Sequence, residues 1–184
     1  WAGAGMLPPA DFKSAATPEI QLRAASKTMW ADWSSRLKEE SGIDNGFINC
    51  GGLHVATGDD IAGWKQYVSE WRQSGAIVEE CEPTSLSETA PFLSQEVHAA
   101  FYLPEMSQVR NPRHLKALLA ACAHKGVQLK SGTPIIGFEV EGSKITGIRT
   151  SSEIFRAGRT VIAGGAWSPE VLDCLGIRCE VVPI

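Results

Sequence analysis

A mixed α/β fold is what this sequence predicts, and three observations predict it. Apolar residues recur at spacings of three and four through Leu22, Ala25, Met29, Trp33 and Leu37, and again through Ile61, Trp64, Tyr67, Val68 and Trp71, the period of one helix face. Between and after them lie short runs rich in β-branched and aromatic residues, such as Val97 to Leu103 and Thr160 to Ala163, the composition of strands. Residues 159–173, RTVIAGGAWSPEVLD, then set a strand-like run, two adjacent glycines and a fresh helix start in a row. Open α/β sheets bind ligands at such a point, on the carboxyl edge of the strands.

Taken in order, the chain opens with WAGAGMLPP, a loop of small residues running into a double proline. It is no dinucleotide fingerprint, because the third glycine is missing and Pro8 blocks the helix that should follow. Thr17-Pro18-Glu19 combines an N-cap, a first-turn proline and an acidic residue, so a helix starts there, and Gly42 ends it. Residues 46–57 read as an extended segment bent at Gly51-Gly52, and the lone His54 within it suits a structural role. Asp59 or Asp60 caps a second helix closed by Gly75. Ile77-Val78 is a short extended piece, residues 85–91 a helical turn, and residues 97–103 a strand.

The second half has another texture. Asn111-Pro112 opens a helix with Leu115, Leu118, Leu119 and Cys122 on its apolar face, and Gly126 stops it. Val127 to Leu129 reads as a short strand, and residues 133–140 and 144–150 as a hairpin around Glu141-Gly142-Ser143. Phe155 lies in another extended piece. Thr160 to Ala163 is then a strand, and Ser168 and Pro169 are the N-cap and first residue of a last helix. The paired glycines also suit an ordinary strand-to-helix turn; what they add is bare main chain that a ligand could approach.

Composition narrows the function. The 184 residues carry a formal charge of −4, with 43% apolar and 21% charged residues, which describes a soluble globular protein and excludes a general nucleic-acid binder. No apolar stretch reaches the ~20 residues of a membrane span, and no signal peptide is visible. Cys50, Cys81, Cys122, Cys174 and Cys179 have no C-x-x-C spacing, and the four histidines are scattered, so no zinc pattern emerges. Buried, reduced thiols in a cytoplasmic protein are the expectation. Trp1 opens the chain in an apolar stretch and residues 181–184 close it in a strand-like run. Because domains usually end in polar segments, an internal piece of a longer protein is expected.

Several stretches, in order, resemble the FAD-dependent D-amino acid oxidase superfamily, most nearly its glycine oxidase branch of the thiamine-pathway type. They are AGAGMLPP at 2–9, V-x-N-P-x-x-L at 109–115 leading into ALLAAC, Gly126-Val127, the G-x-x-I-x-G-I-x-T hairpin at 142–150, and VIAGGAWS at 161–168. The resemblance implies a partial FAD-binding Rossmann-like domain interleaved with part of a substrate domain built on a mixed β-sheet. Residues 1–16 and 106–178 would belong to the first, residues 17–105 to the second, and residues 179–184 would begin the return to it.

Carried over position by position, Ala4, Gly5 and Met6 match the small-residue loop beside the flavin, with Met6 near the ring and substrate cavity. Ile135 matches a position whose main chain pairs with adenine. Ala163, Gly164 and Gly165 match the close-approach turn, a mild departure from the family's Ala-Ala-Gly or Thr-Gly, and Trp167 would pack over it. The implied chemistry is oxidation of the Cα–N bond of a small amine or amino acid to an imine, with O2 or a quinone as electron acceptor. Such chemistry resides in the cofactor, and the sequence offers no nucleophile with a base, no metal cluster and no carboxylate pair; no catalytic residue is named. Oligomeric state stays open, homo-oligomers included. The alternative expectation is a non-catalytic truncated domain that binds no FAD alone and serves as a structural or interaction module.

Overall fold

A computed structural model describes residues 3–11, 13, 17–86, 90–94 and 96–181. Its contacts divide the chain into two compact units, Trp1–Val127 and Gln128–Ile184. Among the described residues the strand pairings are antiparallel, in three sheets of three strands each.

The first unit is led by helix α1, Pro18–Ser41. The Thr17 hydroxyl accepts the Ile20 N–H at 3.3 Å, and Gly42, at φ +70°, donates its N–H to the Lys38 carbonyl at 2.8 Å. Both ends are therefore where the sequence puts them. The buried face is not. Of the expected stripe Leu37 is buried, but Leu22, Met29 and Trp33 are exposed, and Ala24 and Ser34 are buried in their place. Leu37 meets Ala117 and Ala121 of the helix Asn111–His124, with Ile43 and Leu118 packed alongside. Alanines at that contact let the two helix backbones come close, so small residues, more than the large apolar ones, decide which face turns inward.

Strands β1 (Met6–Leu7), β2 (Ile48–Asn49) and β6 (Ser107–Gln108) form one sheet in the order β1-β6-β2. Strands β3 (Gly52–Thr57), β5 (Val97–Leu103) and β4 (Glu79–Cys81) form the next, in the order β3-β5-β4. A helix at Trp64–Gln73 packs Val68 onto this sheet against Phe101, Leu103, Ala76 and Met106, with Trp64, Trp71 and Val78 at the margin. Phe101 and Leu103 are fully buried, each contributing roughly 2–3 kcal/mol of hydrophobic stabilisation. His54 stacks on Phe101 at 4.8 Å, and its Nδ1 lies 3.0 Å from the Tyr67 hydroxyl, a packed structural position.

The second unit is a meander of β7 (Ile135–Glu141), β8 (Lys144–Thr150) and β9 (Ile154–Arg156), followed by a short helix at Ser168–Asp173 that lies against β7. Phe138 is its buried apolar side chain.

Several sequence expectations need correction. Residues 160–163 and 127–129 form no strand and join no ladder among the described residues; a β-branched run becomes a strand only when a neighbour completes its hydrogen bonds. The opening loop contains a strand, because Met6 and Leu7 find Gln108 and Ser107. The helix near residue 60 begins as a 3₁₀ turn at Gly58–Gly63, and its α-helical part starts at Trp64. Ser168 is already helical, with Trp167 in the cap position and a 3₁₀ turn, Gly165–Trp167, before it. The thiols are free but not buried: Cys50, Cys122 and Cys174 are exposed, Cys81 and Cys179 half-buried.

Candidate functional site

The expected site residues fall in both units, and each group has its own local geometry. In the first unit, residues 3–7 are fastened to the strand that leads into the Asn111–His124 helix. The Asn111 side-chain amide donates to the Gly3 carbonyl at 2.5 Å, and the Val109 N–H donates to the Gly5 carbonyl at 2.8 Å. Gly5 sits at φ +88°, and a β-carbon there would stand 2.2 Å from the Val109 carbonyl oxygen. Only glycine permits this approach. Ala4 and Met6 are exposed, Met6 at 68%.

Register sorts the side chains of this small sheet onto two faces. Leu7, Ser107 and Asn49 stand directly opposite one another. With Leu22, Trp30 and Phe47 they line a cavity of about 470 Å³ under the first half of α1. The polar groups there satisfy each other. Ser107 donates to the Asn49 side-chain carbonyl, Lys27 pairs with Glu105 at 2.6 Å, and Arg23 with Glu19 at 2.7 Å. Met6, Gln108 and Ile48 form the matching row on the opposite face.

In the second unit, Ile135 pairs with Thr150 at the outer strand of the meander. The Thr150 N–H is used toward β9, donating to the Glu153 carbonyl at 3.0 Å. In an antiparallel ladder both main-chain groups of a residue point the same way. Opposite Thr150, Ile135 therefore directs its N–H and C=O to the free edge of the sheet, where no described strand meets them. Its side chain is 41% exposed.

At the glycine turn, Gly164 accepts the Trp167 N–H at 3.1 Å, and a β-carbon on Gly164 would crowd Ser168 N and Oγ at 3.3 Å. Gly165 adopts φ +56° with open space around it. Ala163 and Trp167 are exposed. The Thr160 hydroxyl is buried without a hydrogen-bond partner among the described residues. Open space beside Gly165 and an open main-chain edge at Ile135 leave room for a ligand to approach the peptide groups there.

The groups with shifted acidity lie elsewhere. Burial lowers the pKa of His54 and of His114. The Asp44 carboxyl is held below its usual value by the Lys38 hydrogen bond, then by the Gly46 N–H and the Lys38 charge. Among the described residues, no three His, Cys, Asp or Glu side chains cluster so as to hold a metal ion. No described helix is long and apolar enough to cross a membrane.

Residues 1–184, the whole chain, match the profile of the DAO family, FAD dependent oxidoreductase. The chain is 28% identical over 172 residues to the bifunctional protein ThiO/ThiG of Nostoc sp. (strain PCC 7120), covering 93% of this chain and 26% of that protein. It is 27% identical over 186 residues to glycine oxidase of Pseudomonas putida (strain KT2440), covering 100% of this chain and 50% of that one. The crystal structure of glycine oxidase from Geobacillus kaustophilus superposes with a TM-score of 0.85 at 28% identity, over 99% of this chain and 49% of that one. The chain thus spans half or less of the length of these relatives.

Proposed function

The chain belongs to the DAO family of FAD-dependent oxidoreductases, and from that premise we propose that it supplies part of the cofactor and substrate walls of an enzyme oxidising the Cα–N bond of a small amino acid or amine. The observation that carries this reading is the main chain of Ile135, whose N–H and C=O face the open edge of β7, together with the bare glycine turn at residues 163–165. The Ile135 N–H and C=O would pair with adenine. Ala163, Gly164 and Gly165 would lay their main chain against the cofactor, and Trp167 would pack over the turn. Ala4 and Gly5 would keep the first-unit loop thin beside the flavin, with Met6 near the ring and substrate.

When bound, FAD supplies the two-electron oxidation that converts the amine to an imine. The residues of this chain contribute shape, orientation and exclusion of water, and none is assigned a proton-transfer role. Residues 1–16 and 106–178 act as cofactor-domain segments and residues 17–105 as a substrate-domain segment, in a cytoplasmic enzyme whose electron acceptor is O2 or a quinone.

The test is spectroscopic and then catalytic. The protein carrying this chain, purified and incubated with FAD, should show the visible bands of bound flavin and lose them anaerobically on addition of glycine, sarcosine or a small D-amino acid. Peroxide released in air identifies O2 as acceptor, and reduction of an added quinone without peroxide identifies the alternative. A protein that retains no flavin after excess FAD is removed overturns the proposal.

A further inference from the structure

We propose that Trp64, Trp71, Tyr67 and His54 form a one-electron relay: an oxidising equivalent caught on either indole ends on the exposed Tyr67 phenol, and His54 Nδ1 takes the phenolic proton. Its substrates are diffusible one-electron oxidants, such as radicals derived from peroxide. The relay uses no bound flavin and lies outside the amine chemistry above.

The cluster is assembled from two elements. Trp64, Tyr67 and Trp71 recur at spacings of three and four, so they stand in one stripe on the helix Trp64–Gln73. His54 of β3 stands opposite Phe101 of β5, so the two rings share the sheet face that this helix covers. Tyr67 lies 6.2 Å from Trp64 and 6.3 Å from Trp71, centroid to centroid, and Trp71 meets His54 edge to face at 5.4 Å. Phe101, stacked on His54 at 4.8 Å, closes the floor. At such separations aromatic rings touch, so an electron passes from one to the next with no backbone or solvent between.

Hydrogen bonding gives the relay its direction. The Trp71 indole N–H is buried with no partner among the described residues. An oxidised Trp71 therefore has no acceptor for its proton, and the hole does not settle there. Tyr67 differs, because its hydroxyl oxygen lies 3.0 Å from His54 Nδ1. Burial lowers the His54 pKa, so the ring is neutral above pH 6.5, and with hydrogen on Nε2 its Nδ1 accepts the phenolic O–H. Loss of an electron makes a phenol strongly acidic, and a phenol already bonded to a base gives up that proton at once. Tyr102 is the contrast within the same sheet. Its hydroxyl donates to the Cys50 carbonyl at 3.4 Å, and a carbonyl is too weak a base to hold the proton.

In the forward step an oxidant takes one electron from an indole and is itself reduced by one. The indole radical cation recovers an electron from Tyr67 as the phenolic proton moves to His54 Nδ1. A restored indole, a neutral tyrosyl radical and an imidazolium remain. A thiolate in solution then returns one electron and leaves as a thiyl radical, and the proton goes back from Nδ1 to the phenol.

The test is pulse radiolysis of the protein that carries this chain, in azide solution, where azide radicals oxidise indoles and become azide. In wild type the indolyl absorption should decay as tyrosyl absorption grows, in a step that is independent of protein concentration and slows in D2O. Tyr67→Phe keeps the ring and its packing and should lose this tyrosyl component, whereas Tyr102→Phe should keep it. Trp64→Phe combined with Trp71→Phe should lose the step as well. His54→Gln should slow it about 100-fold, the lower range of what a positioned base contributes. A tyrosyl signal of wild-type size and rate in Tyr67→Phe overturns the relay. So does an equal rate in wild type and His54→Gln, or a wild-type step indifferent to D2O.

Discussion

Replacing Gly5 by alanine probes the joint between β1 and β6 most directly. At φ +88° an L-residue is strained by roughly 1–2 kcal/mol. The new methyl would also stand 2.2 Å from the Val109 carbonyl oxygen and 3.3 Å from its carbon. Backbone is on both sides of that clash, so no side chain can swing away, and a shift of about 1 Å is needed to reach ordinary contact distance. Such a shift stretches the 2.8 Å bond from Val109 N–H to the Gly5 carbonyl beyond useful length, a loss of about 1 kcal/mol net. Strain and lost bond together give a destabilisation of about 2–4 kcal/mol.

Gly42→Ala is the matched control. It carries similar strain at φ +70° with nothing within 4 Å of the added carbon, so it should cost only about 1 kcal/mol. Urea unfolding of the two variants beside wild type measures the difference. If Gly5→Ala costs no more than Gly42→Ala, the strand joint is not what holds residues 3–7 in place.

Other outcomes follow from the same geometry. Ile135→Pro removes an N–H that points to the open edge of β7, so FAD affinity should fall roughly fivefold to tenfold in fluorescence titrations, while Ile135→Ala leaves it nearly unchanged. Asn45→Leu should destabilise by about 2–4 kcal/mol in denaturant unfolding, because the buried amide bonds Ser34 at 3.0 Å, His114 Nδ1 at 3.2 Å and the Phe47 N–H at 3.0 Å. Thr17→Ala should cost about 1 kcal/mol through the lost cap, read from the same transition. His54 and His114 have folded pKa values below the ordinary 6.5, so the unfolded chain takes up protons first as pH drops. Stability should be full above pH 6.5 and decline as pH falls through the folded values, with the urea midpoint at pH 5 below that at pH 7.5. His114→Gln should flatten this dependence, since His114 Nδ1 faces the Asn45 amide only as an unprotonated acceptor.

Much of the fold can be read from residue order because its signals are local. Thr17 and Gly42 bracket α1 to the residue, Val97 and Leu103 bound β5, and the turn at Gly142-Ser143 joins β7 to β8. Signals that depend on partners misled. The β-branched run at 160–163 has strand composition but no ladder among the described residues, and of the large apolar stripe of α1 Leu37 packs while Leu22, Met29 and Trp33 are exposed. For the site, the glycine turn and the small-residue loop stood out from their composition, whereas the pairing of Met6 with Gln108 and of Ile135 with Thr150 carried no such mark.

Sequence by itself determined where α1 begins and ends, because its cap, proline and positive-φ glycine act on the backbone of their own few residues. It also determined which stretches would present bare main chain. Tertiary structure alone decided that residues 6, 48 and 108 share a row and that Ile135 turns its peptide groups to an open edge. The reason is physical. Strand register is a long-range choice among alternatives that differ by one residue, and each slip exchanges the two faces of a sheet. Only the assembled ladder shows which alternative the chain took.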